Sequence, residues 1–551
     1  MNRREFVSAC AAGYWLAKKP LVAGRIPIHY RQPPPYESYV PFIEPGHDEF
    51  PEETAALELE AALREWWHRQ RSPIAARFYA LPANLVRFEF KEPGIYRTGV
   101  AHVRYLDGRI AGITPVDEYT ARSERPLFQD VTGTVFEGVS SFKEQLSKGI
   151  PYWIAKIDPA TGIDIYGNNG VAVGDIDNDG IDELFVCQPG GLPNRLYKFV
   201  NGGFVDITAK AGIDLLDATS SALFLDLRNS GMQDLVVLLT TGPVLFLNKG
   251  DGTFRLRENT FKFASPPQGT FTGMAAVDYD RDGKLDLYLC SYLFFQSEAQ
   301  YRYPVPYHDA RNGPPNYLFR NRIDAEGEGF FEDVTAESGI QQNNDRFSFA
   351  AAWCDYDGDG WPDLYVANDF GQKNLYKNDR GRFRDVAEEA GVEDIGPGMS
   401  ASWFDYDGDG RPDLYVANMW SAPGQRVAQS NNFPFAKDPA LAEAYRRHSK
   451  GNSLYRNLGN GSFVAGKQLE FGRWAWSSDG HDFDCDGSPE VFIVCGMMTN
   501  NLEPDLASFF WRQVVAKSPS DARPAAAYEN GWNALNQFIR EGYSWNGHEP
   551  N

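Results

Sequence analysis

One nine-residue pattern, written six times between Asp175 and Glu490, limits this chain more than anything else in it. Its fullest copies read DYDRDGKLDLYL from Asp278, DYDGDGWPDLYV from Asp355 and DYDGDGRPDLYV from Asp405. DIDNDGIDELFV from Asp175 and DFDCDGSPEVFI from Asp482 keep the same rule, and DLRNSGMQDLVV from Asp226 is an eroded version of it. Carboxylates stand at positions one, three, five and nine, glycine stands at six, and an apolar run follows. Alternate acids converge only if the chain curls, and glycine accepts the backbone angles that such a curl requires. A fixed period of this kind marks a repeat architecture, in which each unit buries its apolar face against the next.

A loop of this kind is a cage for a hard cation. Calcium takes roughly six to eight oxygens in flexible geometry, which suits carboxylates plus a backbone carbonyl. The expected calcium ligands are Asp175, Asp177, Asp179 and Glu183 in copy one, and Asp278, Asp280, Asp282 and Asp286 in copy three. Copy four offers Asp355, Asp357, Asp359 and Asp363, copy five Asp405, Asp407, Asp409 and Asp413, and copy six Asp482, Asp484, Asp486 and Glu490. In copy two Arg228 and Ser230 replace the third and fifth acids, so no ion is expected beside Asp226 and Asp234. The loop is not an EF-hand, because its last acid arrives early and a strand follows instead of a helix. A tight Asp-Gly hairpin turn would explain one copy; five complete copies favour the metal.

The formal charge of −22 arises from 75 acidic against 53 basic residues, and 22 of the acids stand at positions one, three, five and nine of these loops. The acidity is therefore local metal chemistry, and no basic stripe is present to neutralise phosphates, which excludes nucleic acid as a partner. The six cysteines make no evident disulfide framework. Cys187 and Cys290 stand at equivalent strand positions and read as core residues.

The opening MNRREFVSACAAGYWLAKK resembles a twin-arginine (Tat) export signal, with Arg3 and Arg4 before Phe6 and a modest apolar run from Val7 to Ala17. Residues 1–25 are assigned to that signal peptide and the chain to the exported class: periplasm, cell surface or secreted. Nothing in the sequence reaches transmembrane length. Residues 26–125 hold a proline-rich arm to about 50, one helix from Glu52 to about Arg71, and accessory strands over 84–115. The helix rests on the spacing of Ala55, Leu59, Ala62, Leu63, Trp66 and Trp67.

From 126 to 551 the repeat can be written in full. An F-x-D-V-T strand is expected to open each unit, at Phe128, Phe204, Phe331 and Phe383. The acidic loop and its strand follow, then N-x-L-Y-x-N-x-G-x-F from Asn194, Asn374 and Asn452. Short strands at a period near fifty residues predict an all-β chain folded as a β-propeller. First aspartates are separated by 51, 52, 77, 50 and 77 residues, so two units carry insertions, near 291–315 and 420–450.

The repeat resembles the FG-GAP or VCBS type of integrin α propellers. It is more similar to bacterial relatives of cartilage acidic protein that carry ASPIC/UnbV domains. GIDIYGNNGVAVGDIDNDG, PVPYHDARNGPPNYLFRN, NMWSAPGQR, RHSKGNSLYRN and WAWSSDGHDFD carry the likeness. It implies a seven-bladed, calcium-binding, exported propeller with no catalytic activity to carry over. In such proteins SWNGHEPN, here at Ser544 to Asn551, leads into a further blade. Six recognisable blades of an expected seven predict a chain truncated at its C-terminal side.

No zinc spacing, nucleophile elbow or phosphate loop is present. The best candidate for ligand binding is the first insertion, with Tyr301, Tyr303, Tyr307, His308, Asp309, Arg311 and Asn312. The second adds Trp420, Arg426, Arg446, Arg447 and His448. The leading expectation is a calcium-stabilised binding, adhesion or scaffold module for an extracellular or periplasmic protein or polysaccharide. The alternative is a carbohydrate-active enzyme, a polysaccharide lyase or hydrolase, which requires His308 and an arginine on one cleft.

Overall fold

The computed structural model describes residues 50–70, 74–122, 128–148, 152–153, 170–294, 303–466, 472, 474–495 and 506–540. The export signal, the proline-rich arm up to residue 49, Tyr301 and the SWNGHEPN segment lie outside the described residues.

Helix α1 (Glu52–Arg69) begins with Glu52 and Glu53 and ends with His68 and Arg69, charges that complement the helix dipole. Its apolar stripe lies on a four-stranded antiparallel sheet, Ala75–Leu81, Leu85–Glu92, Ile95–Leu106 and Arg109–Arg122, paired in chain order. Leu63 is buried among Phe78, Val86 and Phe88, and Trp67 stacks on Phe90 with ring centroids 4.7 Å apart.

The repeat region is a succession of antiparallel sheets, one for each acidic copy. Copy one shows the plan: Val171–Gly174, Glu183–Val186, Arg195–Val200 and Gly203–Asp206 pair in that order. The acidic loop joins the first strand to the second, the N-x-L-Y segment is the third strand, and F-x-D belongs to the fourth. The expected phase of the unit is corrected by this order. F-x-D-V-T closes a sheet and runs into a one-turn helix such as Thr208–Ala211, instead of opening the next sheet. At Phe128 it forms no strand; the Phe128 ring packs on Phe483 and Phe492 of copy six.

First strands lie side by side through the series: Val171–Gly174, Thr219–Leu225, Gly269–Val277, Phe347–Cys354, Gly398–Phe404 and Ala475–His481. That is the blade arrangement of a β-propeller, with first strands innermost. The approach is close enough that a Cβ on Gly273 would stand 2.7 Å from the Phe349 carbonyl oxygen. Apolar residues fill the space between neighbouring blades. Along the strand from Asp234 to Leu239, Leu235 and Val237 face the first blade while Val236 and Leu238 face the third. Burial on both faces explains why these strands read as unbroken apolar runs. Cys187 and Cys290 lie in such inter-blade cores. Copy three gains a short fifth strand, Phe261–Lys262, paired parallel to Phe331–Asp333, and among the described residues copy six has two strands, Ala475–His481 and Glu490–Cys495.

Both insertions leave between second and third strands, so they emerge at the end of the blades opposite the acidic loops. The second contains helices α2 (Ala422–Gln429) and α3 (Pro439–Arg447). Helices α4 (Leu506–Gln513) and α5 (Ala526–Arg540) follow copy six, a region for which the sequence pattern predicts propeller alone. The chain is thus mostly β with a helical layer on one end.

Candidate metal centres

Each acidic loop is shaped by its own first aspartate. In all six copies one carboxylate oxygen accepts the N–H of residue five and the other that of residue six, at 2.7–3.1 Å. The sixth residue is glycine with positive φ throughout, for example 86° at Gly360. In copies one, three, five and six the ninth acid braces the loop from inside by accepting the N–H of residue two, as Glu183 does from Ile176 at 3.0 Å and Asp413 from Tyr406 at 2.9 Å. Even eroded copy two, from Asp226, keeps the first set of bonds, so the loop backbone forms without the full set of carboxylates.

Five groups of three carboxylates bring ligand oxygens within 4.8 Å of one another: Asp175, Asp177, Glu183; Asp278, Asp280, Asp282; Asp355, Asp357, Asp359; Asp405, Asp407, Asp413; and Asp482, Asp484, Glu490. Asp179, Asp286, Asp363, Asp409 and Asp486, one expected ligand per loop, fall outside these groups. The donor set fits a hard cation. Two buried oxygens, Asp280 Oδ1 and Asp363 Oδ2, have no hydrogen-bond partner. Burial pushes the Asp286 and Asp363 carboxyls up to about 8, and neighbouring loop acids add to the rise. Asp280 and Asp413 are raised for the same first reason. Concentrated negative charge with unsatisfied oxygens is what bound calcium would relieve.

Two features of the site escaped sequence reasoning, although N-x-L-Y-x-N contains both. The residue before its last Asn is basic in four copies, and it reaches the loop acids. Lys198 Nζ lies 2.8 Å from both Asp177 oxygens, 2.7 Å from Asp179 and 2.9 Å from Glu183. Arg320 pairs with Asp280 at 2.8 Å, Lys377 with Asp357, and Arg456 with Asp407. Among the described residues copy six has two strands, and no basic side chain pairs with its loop acids. The second feature is the terminal Asn itself. Asn248, Asn321, Asn378 and Asn457 donate side-chain N–H to the carbonyls of Ile176, Leu227, Tyr279 and Tyr356, at 2.7–2.9 Å. Each acceptor is residue two of the preceding blade's loop, so the Asn latches one blade to the last. Copy one has Phe199 in that place.

Comparison with known proteins matches this unit directly. A model described as FG-GAP-like repeat fits residues 226–289 and 355–416, which run from the acidic loop of copy two to the second strand of copy three and from the loop of copy four to the second strand of copy five. The chain carries FG-GAP-like repeats. It is similar to cartilage acidic protein 1 of Xenopus tropicalis, 30% identical over 229 residues, and of Mus musculus, 28% identical over 228 residues. Each match covers 40% of this chain and 32% of the relative, so the chain spans about a third of the length of the curated relatives it matches. Among solved structures, an Agrocybe aegerita lectin that recognises non-reducing terminal N-acetylglucosamine is similar at 14% identity and a TM-score of 0.36. That likeness covers 59% of this chain and 74% of the lectin.

At the other end of the FG-GAP-like blades, most of the candidate ligand-binding residues are committed to packing. Tyr307 is buried against Tyr445, His448, Phe510 and Trp511. Trp420 is buried beneath Arg87 and beside Tyr79. His448 is buried, its Nε2 is 3.1 Å from the His308 carbonyl oxygen, and burial depresses its imidazole to about 3. Arg426 is a structural residue: it forms a bidentate pair with Glu53 at 2.6 and 2.8 Å and donates to the Ala80 carbonyl at 2.7 Å. Ser508 of α4 donates to the same Glu53 at 2.7 Å, so one buried carboxylate ties α1, α2 and α4 together. Asp309 pairs with Arg346, and exposed Arg311 with Asp345 and Asn343. The half-buried His308 ring lies beside Tyr445, at 5.3 Å. The two insertions therefore pack on each other, with Tyr307 and His308 of the first against Tyr445 and His448 of the second. The physical reason is that apolar residues on both insertions find each other and α4 before they find solvent.

Proposed function

We propose that this chain is an exported, calcium-stabilised β-propeller that serves as a binding, adhesion or scaffold module. The observation that carries the reading is the recurrence of one carboxylate group in five loops, with buried oxygens left unpaired at Asp280 and Asp363. Calcium held by loops one, three, four, five and six compensates charge that each loop concentrates while its backbone stays in place. The partner is an extracellular or periplasmic protein or polysaccharide, bound on surface that the inter-blade cores keep rigid. Export rests on the twin-arginine segment at Arg3 and Arg4. No helix among the described residues is long and apolar enough to cross a membrane.

The test is a calcium titration of the purified chain, followed by calorimetry and by thermal unfolding against an EDTA control. A ligand bound only by the native state stabilises it by about 2.7 kcal/mol per site at a hundredfold excess over Kd. The expected result is a melting temperature that climbs with calcium and a stoichiometry of one ion for each of the five groups. A melting curve indifferent to calcium would refute the reading.

A further inference from the structure

Copy two breaks the loop pattern in two places at once, and the two breaks compensate each other. Its third loop position is Arg228 where the complete copies have Asp177, Asp280, Asp357, Asp407 and Asp484. Its third strand carries Leu247 at the register position that holds Lys198, Arg320, Lys377 and Arg456 in the others. The strand pairs Leu184↔Tyr197, Leu235↔Phe246, Leu287↔Phe319, Leu364↔Tyr376 and Leu414↔Tyr455 fix that equivalence. The base has moved from the third strand into the loop, and an apolar residue fills the place it left.

The Arg228 guanidinium sits over the ninth acid. Its Nε donates to Asp234 Oδ2 at 2.9 Å, its Nη2 to Asp234 Oδ1 at 2.8 Å and to the Asn248 carbonyl at 3.0 Å. The pair is buried, with side-chain exposures of 12% for Arg228 and 0% for Asp234. Ser230 donates its hydroxyl to Asp226 at 3.2 Å in place of the fifth acid, and the loop backbone keeps the bonds found in every copy. A planar guanidinium matches a carboxylate in two parallel hydrogen bonds, and a buried carboxylate with no cation is strongly destabilising.

We propose that Arg228 is a tethered cation standing where the other loops take calcium, which makes the second blade independent of the metal. The proposal rests on the calcium reading of the complete loops. It adds that the chain holds two kinds of loop: in copy two a loop arginine pairs with the ninth acid, whereas in the complete copies the loop acids outnumber any base the third strand brings and an ion is needed as well.

The experiment uses the full chain, calcium chloride as the only ligand, and two variants. Arg228→Met removes the tethered cation; Arg228→Asp with Ser230→Asp restores the complete set of loop acids. Calcium stoichiometry, melting temperature in EDTA and in calcium, and hydrogen exchange over residues 219–257 are read for each. Arg228→Met is expected to melt several degrees lower in EDTA, to bind as many ions as the wild type, and to regain no exchange protection over 219–257 with calcium. The double variant is expected to lose protection over that blade in EDTA, recover it in calcium, and bind one more ion than the wild type. An unchanged ion count in the double variant, or an Arg228→Met chain as stable in EDTA as the wild type, overturns the proposal. If the wild type binds no calcium, the underlying calcium reading fails, and with it the replacement role. The Arg228→Met melt in EDTA then reports the guanidinium's structural contribution separately.

Discussion

The two ends of these blades solve the same problem, charged groups held close to a packed core, in opposite ways. At the loop end, carboxylates recur by repetition, and five blades gather more negative charge than their own bases neutralise. At the insertion end the buried carboxylate Glu53 is answered within the chain by Arg426 and Ser508. Around that pair lie Tyr307, Phe433, Tyr445, Phe509, Trp511 and Val514, drawn from both insertions and α4. Under the proposed calcium reading an external cation completes the loop end, whereas the Glu53 cluster draws its partners from the chain itself. A repeat can be stabilised by one kind of ligand used many times, whereas an unrepeated layer must find its partners within its own sequence.

The sharpest way to break this contrast is at Glu53. Arg426→Ala leaves a buried carboxylate facing α1, α2 and α4 without its cation, an expected loss of about 3–5 kcal/mol. Urea unfolding with and without calcium measures it, and the loss should be the same in both. Replacing both partners, Glu53→Leu with Arg426→Met, should cost clearly less than the two single changes added together, because no buried charge is stranded. Recovery of the Arg426→Ala loss by calcium would mean that the two ends are not separate.

A smaller effect, confined to the loop end, is set by pH. Burial pushes Asp286 and Asp363 up to about 8, from the ordinary aspartate value of 3.8. A raised carboxyl pKa means that the folded chain holds a proton the unfolded chain has released, so stability falls as pH rises between those two values. The expected outcome in EDTA is a melting temperature that declines from about pH 4 towards pH 8. Calcium should flatten the decline, since the ion takes the proton's place, and its binding should release protons in that window. Calorimetry in buffers of different ionisation enthalpy detects the release. A metal-free melting temperature that rises across the same window would contradict the burial argument.

Much of the loop end was legible because its chemistry is periodic. Alternating acids, Gly283, Gly360 and Gly410 at position six and the apolar strands after them appear in one line of sequence. The fold places them as loop, turn and second strand. What was misread there was phase. F-x-D-V-T stands in sequence between one third strand and the next acidic loop, and hydrogen-bond register assigns it to the third strand before it. The bases Lys198, Arg320, Lys377 and Arg456 were visible in the motif, yet their reach into the loop depends on which residue faces which across two strands. The insertion end was less legible. Tyr307, His448 and Arg426 are residue types that bind ligands when exposed, and burial by α4 depends on a contact between residues far apart in the chain. Nothing local to Arg426 announces Glu53 as its partner.

Arg311 defines the lower limit of the comparison. It belongs to the same insertion as Tyr307, but it is exposed and pairs with Asp345 at 3.2 Å on the surface. Exposed ion pairs are worth roughly 0–1 kcal/mol, because water and salt screen them and ordering the side chains costs entropy. Arg311→Ala should therefore change stability by no more than about 0.5 kcal/mol, in calcium or in EDTA, as measured by urea unfolding. The contrast with Arg426→Ala is the informative quantity: both are arginines of the insertion end, and burial alone separates them. That near-neutrality also makes Arg311 the useful probe for a partner. A variant that folds as the wild type but loses binding to a candidate polysaccharide or protein would place the contact on this rim. A stability loss comparable to that of Arg426→Ala would show instead that the insertion is held together through its exposed pairs, and the division between a self-sufficient core and a free surface would fail at this end.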